Sequence, residues 1–209
     1  MQLVRYRTAQ ILSIESILSR ETGGRMSGTA VKRLTAEQVE SLGFSPDVTL
    51  ALEANRAVSA VLEEKILELE KRLNERAKLR PEYRLLKTVP GIGEILATTI
   101  MLETGTVARF ARVGNFSSYS RCVDSVQESN GKKKGEGNVK NGNKYLSWAF
   151  IEAANFALRY CPEAKSFYDR KKRKTNRIVA LKAVAHKLAR ACYYILRDQK
   201  PFEVSRCFV

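Results

Sequence analysis

The segment 121–143 has the composition of a loop that binds a charged ligand. Glycine lets a backbone come close to a bound molecule, and lysine supplies positive charge for phosphate groups. The residues of these two types are Gly131, Gly135, Gly137, Gly142, Lys132, Lys133, Lys134, Lys140 and, directly after the segment, Lys144. Their spacing does not match the Gly-x-x-x-x-Gly-Lys-Ser/Thr loop of nucleotide triphosphatases. We therefore predict an exposed loop that either wraps a phosphate chain or is a solvated linker.

Residues 85–101 contain a second candidate phosphate site, formed by backbone groups. The pattern around Val89-Pro90-Gly91-Ile92-Gly93 predicts a helix-hairpin-helix, in which Pro90 ends the first helix and both glycines adopt backbone angles closed to other residues. Free N–H groups at Gly91 and Gly93 would then bind one phosphate at the start of the second helix. A purely structural turn between two helices is the alternative. A dinucleotide fingerprint is excluded, because no strand precedes the glycines and the third glycine is absent.

Positive charge is concentrated in the second half of the sequence. The 209 residues include 37 Lys+Arg and 22 Asp+Glu, a formal net charge of +15. Residues 130–177 contain 13 of these basic residues and only four acidic ones. The densest run extends from Arg170 through Lys171, Lys172 and Arg173 to Lys174. Charge concentrated in this way favours a nucleic-acid-binding surface over a general contribution to solubility.

The composition excludes several classes of site. The cysteines Cys122, Cys161, Cys192 and Cys207 form no Cys-x-x-Cys pair, so we expect reduced thiols in a cytosol, without a zinc ribbon or disulfide framework. The single histidine, His186, cannot supply a zinc ligand cluster, and we interpret it as a polar residue on a basic helix face in preference to a catalytic group. No metal site is predicted. Because no apolar run reaches the length of a membrane span, we expect a cytoplasmic protein with no membrane partner.

Apolar residues recur at spacings of three and four along most of the chain, which predicts an all-α protein. We expect residues 1–45 to form a partial N-terminal helical segment, 46–80 one long connecting helix, and 81–209 a C-terminal helical domain. Thr35 and Gln38 have the spacing of a capping box. Residues 146–160 carry apolar side chains, including Trp148 and Phe156, around the whole helix, which predicts burial on all sides.

The long helix carries an apolar seam. Ser45 followed by Pro46 is a start signal, and no further proline occurs before Pro81. The seam residues are Leu62, Ile66, Leu69 and Leu73. Their 4-3-4 spacing is typical of a coiled coil, so the seam packs on another helix, either in this chain or in a second copy that would make the protein a homo-oligomer.

A series of short motifs, in one order along the chain, resembles the C-terminal transposase domain of the insertion-sequence 110/116/902 family. The motifs are Val89-Pro90-Gly91-Ile92-Gly93, Arg109-Phe110, Asn115-Phe116, Ser118-Tyr119, Ser129-Asn130-Gly131-Lys132, Lys140-x-Gly142-Asn143-x-x-Leu146 and Glu152-Ala153-Ala154. The long helix at 46–80 resembles the coiled-coil connector of that family. The resemblance implies a DNA-binding enzyme that moves DNA by recombination without a metal in this domain.

The resemblance also implies a catalytic residue. Ser129 matches the family's serine, whose hydroxyl attacks a DNA phosphodiester and holds the strand as a phosphoserine ester. Lys132, Lys133 and Lys134 are the nearest groups that could stabilise the charge of the reacting phosphate. The family pattern usually has glycine where Asn130 stands. The general base is not identified.

Members of this family also resemble a two-part machine, and one part is not found here. Their N-terminal RNase-H-like domain holds divalent metal on four carboxylates, is assembled with the serine domain of another protomer and is guided by an RNA. The acidic residues before residue 46 lack the strand context of such a metal site. We therefore expect a truncated or split protein that binds DNA or structured RNA but does not transpose alone, with divalent metal only in the other domain. The alternatives are a non-catalytic helix-hairpin-helix protein that binds nucleic acid, and an assembly module that dimerises through the seam.

Overall fold

The computed structural model describes residues 1–123, 126–130, 132–136 and 141–208. The α-helices of these residues are α1 Gln2–Thr22, α2 Gly28–Val31, α3 Ala36–Ser41, α4 Pro46–Lys78, α5 Pro81–Leu86, α6 Glu94–Thr104, α7 Val113–Tyr119, α8 Lys144–Tyr160, α9 Pro162–Lys174, α10 Arg177–Asp198 and α11 Val204–Cys207. A short 3-10 helix, Val107–Arg109, precedes α7. The prediction of an all-α protein is confirmed.

The chain divides into two compact units, Met1–Leu73 and Asn74–Val209. No helix of the described residues is long and apolar enough to cross a membrane.

The first unit has a small core of its own. Its buried side chains are Ile11, Ile14, Leu18, Val31, Val39 and Leu52, from α1 to α4. The predicted capping box is confirmed, since Thr35 Oγ1 accepts from Gln38 N and the Gln38 side chain accepts from Thr35 N. These local signals end one helix and begin the next at each turn. As a result, α1, α2 and α3 each bring apolar side chains to the same core.

The long helix α4 forms as the sequence predicts, but it ends at Lys78, two residues before the expected boundary. Ser45 Oγ accepts a hydrogen bond from Val48 N at 3.4 Å, which confirms the predicted cap. The seam is buried only in part. Ile66 is 5% exposed, whereas Leu69 and Leu73 are 50% and 42% exposed. Half of the apolar seam therefore remains open to solvent.

The second unit is organised around α8 and α10, which pack on each other. The prediction that α8 is buried on every side is wrong. Ala149, Ala153 and Ala157 are fully buried, whereas Trp148 and Phe156 are 36% and 40% exposed. Small alanine side chains on one face let α6 and α10 come close to α8, and the large rings therefore lie on the other side, towards solvent.

The segment 121–143 is not a loop throughout. It contains two antiparallel strands, β1 Val126–Ser129 and β2 Lys132–Glu136, which form a β-hairpin. The turn between them includes Asn130, whose φ is 53°. Composition alone misses this hairpin because glycine and lysine have low strand propensity, while backbone pairing between the two strands stabilises them.

Candidate nucleic-acid interface

Ser129 is the last residue of β1, directly before the turn of the β-hairpin. The register pairs the Cα of Ser129 with that of Lys132, and the Cα of Glu128 with that of Lys133. The Cα of Gln127 pairs with that of Gly135, and the register shifts between Gln127 and Glu128. Lys134 therefore has no residue opposite it in the strand pairing. The structure thus brings the candidate serine and two of the candidate lysines together at one end of the hairpin. The candidate Lys140 lies outside the described residues.

Asn130 follows Ser129 and adopts a left-handed backbone conformation with φ of 53°. Asparagine and glycine are the two residues that tolerate this conformation best. The asparagine at this position is therefore compatible with the turn that the expected glycine would make.

Asn143, the last residue of segment 121–143, begins α8 and holds that end of the segment. Asn143 Oδ1 accepts from Tyr145 N at 2.8 Å and from Leu146 N at 3.0 Å, which caps the helix. Its Nδ2 donates to Glu103 Oε2 at 2.6 Å and lies 3.4 Å from the Tyr119 hydroxyl. One side chain therefore joins the end of the hairpin segment to α6 and α7.

The backbone makes the same connection. Asn143 N donates to Tyr119 O at 2.6 Å, and Arg121 Nη2 donates to Gly142 O at 2.9 Å. Gly142 has φ of 90°, and a Cβ there would lie 2.5 Å from Tyr119 O. Only glycine fits at this crossing. We call Glu103, Tyr119, Gly142 and Asn143 the base cluster, because they fix the two ends of the hairpin segment against each other.

Tyr119 connects the base cluster to an arginine. The Arg109 guanidinium lies 4.5 Å from the centre of the Tyr119 ring and 4.6 Å from that of Phe110, which is a favourable cation–π geometry. The hydrogen bond with Asn143 and then that with Arg109 lower the pKa of Tyr119 below its ordinary value. Two positively polarised neighbours therefore stabilise negative charge on this oxygen, and the ring is held in a defined orientation.

A small cavity of about 210 Å³ lies beside the start of the hairpin segment. Its lining includes Cys122, Ile151 of α8, and Arg177 and Leu181 of α10. The candidate basic residues Lys171, Lys172, Arg173 and Lys174 form the last turn of α9 and are all exposed. Arg177 follows this run by three residues, so the end of the run is close along the chain to a side chain that lines this cavity.

The basic run also has a structural explanation. Cations in the last turn of a helix are stabilised by the negative end of the helix dipole. Lys144, in contrast, is the first residue of α8, where the dipole disfavours a cation, and its Nζ lies 5.1 Å from the centre of the Tyr145 ring. Lys144 is exposed, and it directly follows Asn143 of the base cluster in the sequence.

The sequence predicts the same backbone requirement for the two glycines after Pro90, but their environments in the structure differ. Gly91 has φ of 85°, and a Cβ would lie 2.2 Å from Ala153 O and 2.7 Å from Ala157 N. Its lack of a side chain is therefore required for packing against α8. The prediction that Gly93 needs a special conformation is wrong: its φ is −87°, an ordinary extended value, and a Cβ there would meet nothing within 4 Å.

The first helix before these glycines ends earlier than predicted. α5 ends at Leu86, so Pro90 lies in the connection Lys87–Gly93 rather than at the helix end. Gly93 is the exposed N-cap of α6 and has no side-chain cap. Ile92 and Ala97 are buried. Glu94 stands in the first turn and pairs with Lys87 at 3.5 Å, so a carboxylate already occupies the positive end of this helix.

Within the described ranges, no three acidic, histidine or cysteine side chains come together in a group that could hold a metal ion. The sequence analysis missed Glu103, the acceptor for Asn143. Nothing near Glu103 in the sequence marks it, because its partner is 40 residues away. The helix-capping role of Asn143 could have been found, since asparagine before an apolar periodic run is a start signal.

Residues 83–169 match the model of the transposase IS116/IS110/IS902 family. The matched range extends from α5 into α9 and contains the β-hairpin and the base cluster, but it ends before the basic run Arg170–Lys174. Residues 83–169 are therefore similar to that family.

Two curated proteins are similar over a longer range. The Insertion element IS110 uncharacterized 43.6 kDa protein of Streptomyces coelicolor is 24% identical over 136 residues, which cover 65% of this chain and 34% of that protein. The transposase for insertion sequence element IS1111A of Coxiella burnetii is 27% identical over 164 residues, 76% of this chain and 44% of the relative. The chain thus spans between a third and a half of the length of these relatives.

Proposed function

We propose that this chain is the DNA-binding and strand-transferring part of an insertion-sequence transposase. The match of residues 83–169 to a transposase family and the similarity to a protein named as a transposase support this proposal. The single observation that carries it is the position of Ser129 next to the turn of a lysine-rich hairpin, in a segment whose end at Asn143 is held by a hydrogen bond to Glu103. A reacting group needs such a support, because a misplaced nucleophile loses most of its rate.

The proposed reaction is attack by the Ser129 hydroxyl on a DNA phosphodiester. The new bond joins Ser129 Oγ to phosphorus, while the bond from phosphorus to the leaving sugar oxygen breaks. The hydroxyl proton passes to a base and the sugar oxygen gains a proton, so the strand is held as a phosphoserine ester. Lys132, Lys133 and Lys134 are proposed to stabilise the negative charge of the five-coordinate phosphate.

The test is formation of a covalent protein–DNA adduct, with the RNase-H-like domain that the resemblance implies supplied in the mixture. Ser129→Ala should abolish the adduct on a denaturing gel. Ser19→Ala, a substitution of an exposed serine of α1 in the first unit, should leave it unchanged. An adduct that forms equally with Ser129→Ala contradicts the assignment of the nucleophile.

A non-catalytic nucleic-acid-binding module is the second candidate. It is favoured by the exposed run Lys171–Lys174. Binding through phosphate contacts should weaken steeply with salt, by about one power of salt concentration for each phosphate neutralised. A steep salt dependence in a chain that forms no adduct under any condition favours this module, whereas binding that is insensitive to salt contradicts it.

We also propose that the protein assembles with itself through α4. The exposed leucines Leu69 and Leu73 continue the seam beyond the buried Ile66, and a second α4 could cover them in a coiled coil. The resemblance adds a guide RNA as a further proposed partner. The positive charge of residues 130–177 is compatible with either nucleic acid.

A further inference from the structure

A groove of about 580 Å³ lies between α10 and the C-terminal segment, residues 198–207. Its lining combines basic and aromatic side chains, and the main ones are His186, Lys187, Arg190, Tyr194, Lys200 and Phe202. None of these residues belongs to the β-hairpin, the base cluster or the basic run. We call this feature the α10 groove.

The α10 groove is positively charged. Four cations, those of Lys187, Arg190, Lys200 and Arg206, line it together with two carboxylates, those of Asp198 and Glu203. Both carboxylates already have partners, since Asp198 pairs with Arg197 at 2.6 Å and Glu203 with Arg206 at 2.7 Å. Lys187 Nζ also lies 5.1 Å from the centre of the Phe167 ring, and the charge of Lys200 contributes to lowering the pKa of Asp198. The lining of the groove nevertheless carries more positive than negative charge.

The pKa of His186 reflects the electrostatic environment of the α10 groove. Its pKa is lowered first by burial and then by the charges of Arg190 and Lys187. The groups that face it across the groove are Lys200, Glu203 and Arg206 from the C-terminal segment and Asp198 at the end of α10. The imidazole is thus kept neutral in a surrounding that favours an anion.

The wall formed by the C-terminal segment is fixed. Phe202 N donates to Thr88 Oγ1 at 2.8 Å, which ties the segment to the connection after α5. Cys207 and Phe208 are buried, and the Phe208 ring lies 6.0 Å from that of Phe167 on α9. The groove therefore exists before any ligand binds. Binding does not require the walls of the groove to become ordered, so no conformational entropy is lost there when the ligand binds.

We propose that the α10 groove binds one nucleotide of a single-stranded nucleic acid, with the phosphate on Arg190 and Lys200 and the base against Tyr194 and Phe202. Aromatic rings for bases beside cations for phosphates are the usual means of holding single strands. The volume is that of a small-molecule pocket, which admits one nucleotide taken out of a stack but not a duplex. This inference rests on the proposed nucleic-acid function and does not depend on Ser129.

The unique histidine provides the first test. In the tag-free chain, NMR of the imidazole gives signals from His186 only, because the sequence has one histidine. Adding short oligothymidylate should shift these signals and raise the pKa of His186, since a bound phosphate stabilises the imidazolium. An equal shift with inorganic phosphate at the same concentration, or with an acidic peptide, overturns the proposal of a nucleotide site.

Charge reversal provides the second test. Arg190→Glu with Lys200→Glu should weaken binding of single-stranded oligonucleotide in fluorescence anisotropy by roughly tenfold or more, and should weaken duplex binding less. The matched control is Arg25→Glu with Lys32→Glu, which makes the same change of charge at exposed residues of the first unit. Equal losses in both pairs indicate a general charge effect and overturn the site.

The proposal for Ser129 and the proposal for the α10 groove can be contradicted independently of each other. If Ser129 is not the nucleophile, Ser129→Ala changes neither adduct formation nor the His186 shift. If the α10 groove is not a nucleotide site, the His186 signals stay in place while duplex DNA still binds in anisotropy. Thermal unfolding of each variant should confirm that the substituted chains remain folded.

Discussion

The amide of Asn143 donates a hydrogen bond of 2.6 Å to the carboxylate of Glu103, and this bond joins the first turn of α8 to the last turn of α6. The same asparagine caps α8 and binds the backbone of Tyr119. One short polar side chain and the acid that accepts from it therefore link α6, α7 and α8 where segment 121–143 ends.

Asn143→Asp should separate the capping role from the role of the amide. An aspartate keeps the acceptor for the helix N–H groups but puts a carboxylate against Glu103, so we expect a loss of about 1–3 kcal/mol in the free energy of unfolding. Adding Glu103→Gln supplies a donor in place of the second carboxylate and should restore most of that loss in urea unfolding. A double variant no more stable than Asn143→Asp would show that the two side chains are not coupled.

Gly91→Ala and Gly93→Ala form a matched pair two residues apart. The new methyl group at Gly91 would lie 2.2 Å from Ala153 O at φ of 85°, so we expect this variant to lose about 3 kcal/mol or more. The methyl group at Gly93 meets nothing within 4 Å, and the change in stability should stay within about 0.5 kcal/mol. Urea unfolding measures both. Equal stability of the two variants would contradict the packing of Gly91 on α8.

Leu69→Asp tests the proposed assembly, with Leu67→Asp as its control. Both leucines are at least half exposed on α4, but Leu67 lies outside the seam, about a third of a turn away around the helix. A carboxylate in a coiled-coil seam is costly, so Leu69→Asp should shift the protein to monomer in analytical ultracentrifugation while Leu67→Asp should not. If the Leu69→Asp protein sediments in the same way as the unsubstituted chain, assembly through this seam is excluded.

The buried cysteines predict a loss of stability in alkali. Burial raises the pKa of Cys122 and of Cys207 to about 12, and raises that of the fully buried Cys192 still further. Above a pH of about 9 the unfolded chain loses thiol protons that the folded chain keeps, so stability falls as pH rises from about 9 towards 12.

The contribution of one thiol is measured by difference. Cys192→Ala should be less stable near neutral pH, because it leaves a cavity, but its stability should fall less with pH above about 9 than that of the unsubstituted chain. Parallel pH profiles of the two proteins would mean that Cys192 titrates alike in the folded and unfolded states.

The sequence by itself determined the helical class, the capping box of Thr35 and Gln38, the start of α4 at Ser45 and the concentration of charge. Each of these depends on residues three or four positions apart, or on composition, so neighbours in sequence are enough to specify it. The role of Ser129 was predicted from resemblance and stays a prediction.

Only the tertiary structure decided which of two similar glycines is indispensable, which face of α8 is buried, and which acid accepts from Asn143. These outcomes depend on what packs opposite a residue: Gly91 meets the α8 backbone, whereas Gly93 faces solvent. The α10 groove likewise combines Arg190 with Lys200 and Phe202 because the C-terminal segment folds back along α10. Contacts of this kind are set by close packing between distant segments, which no local pattern encodes.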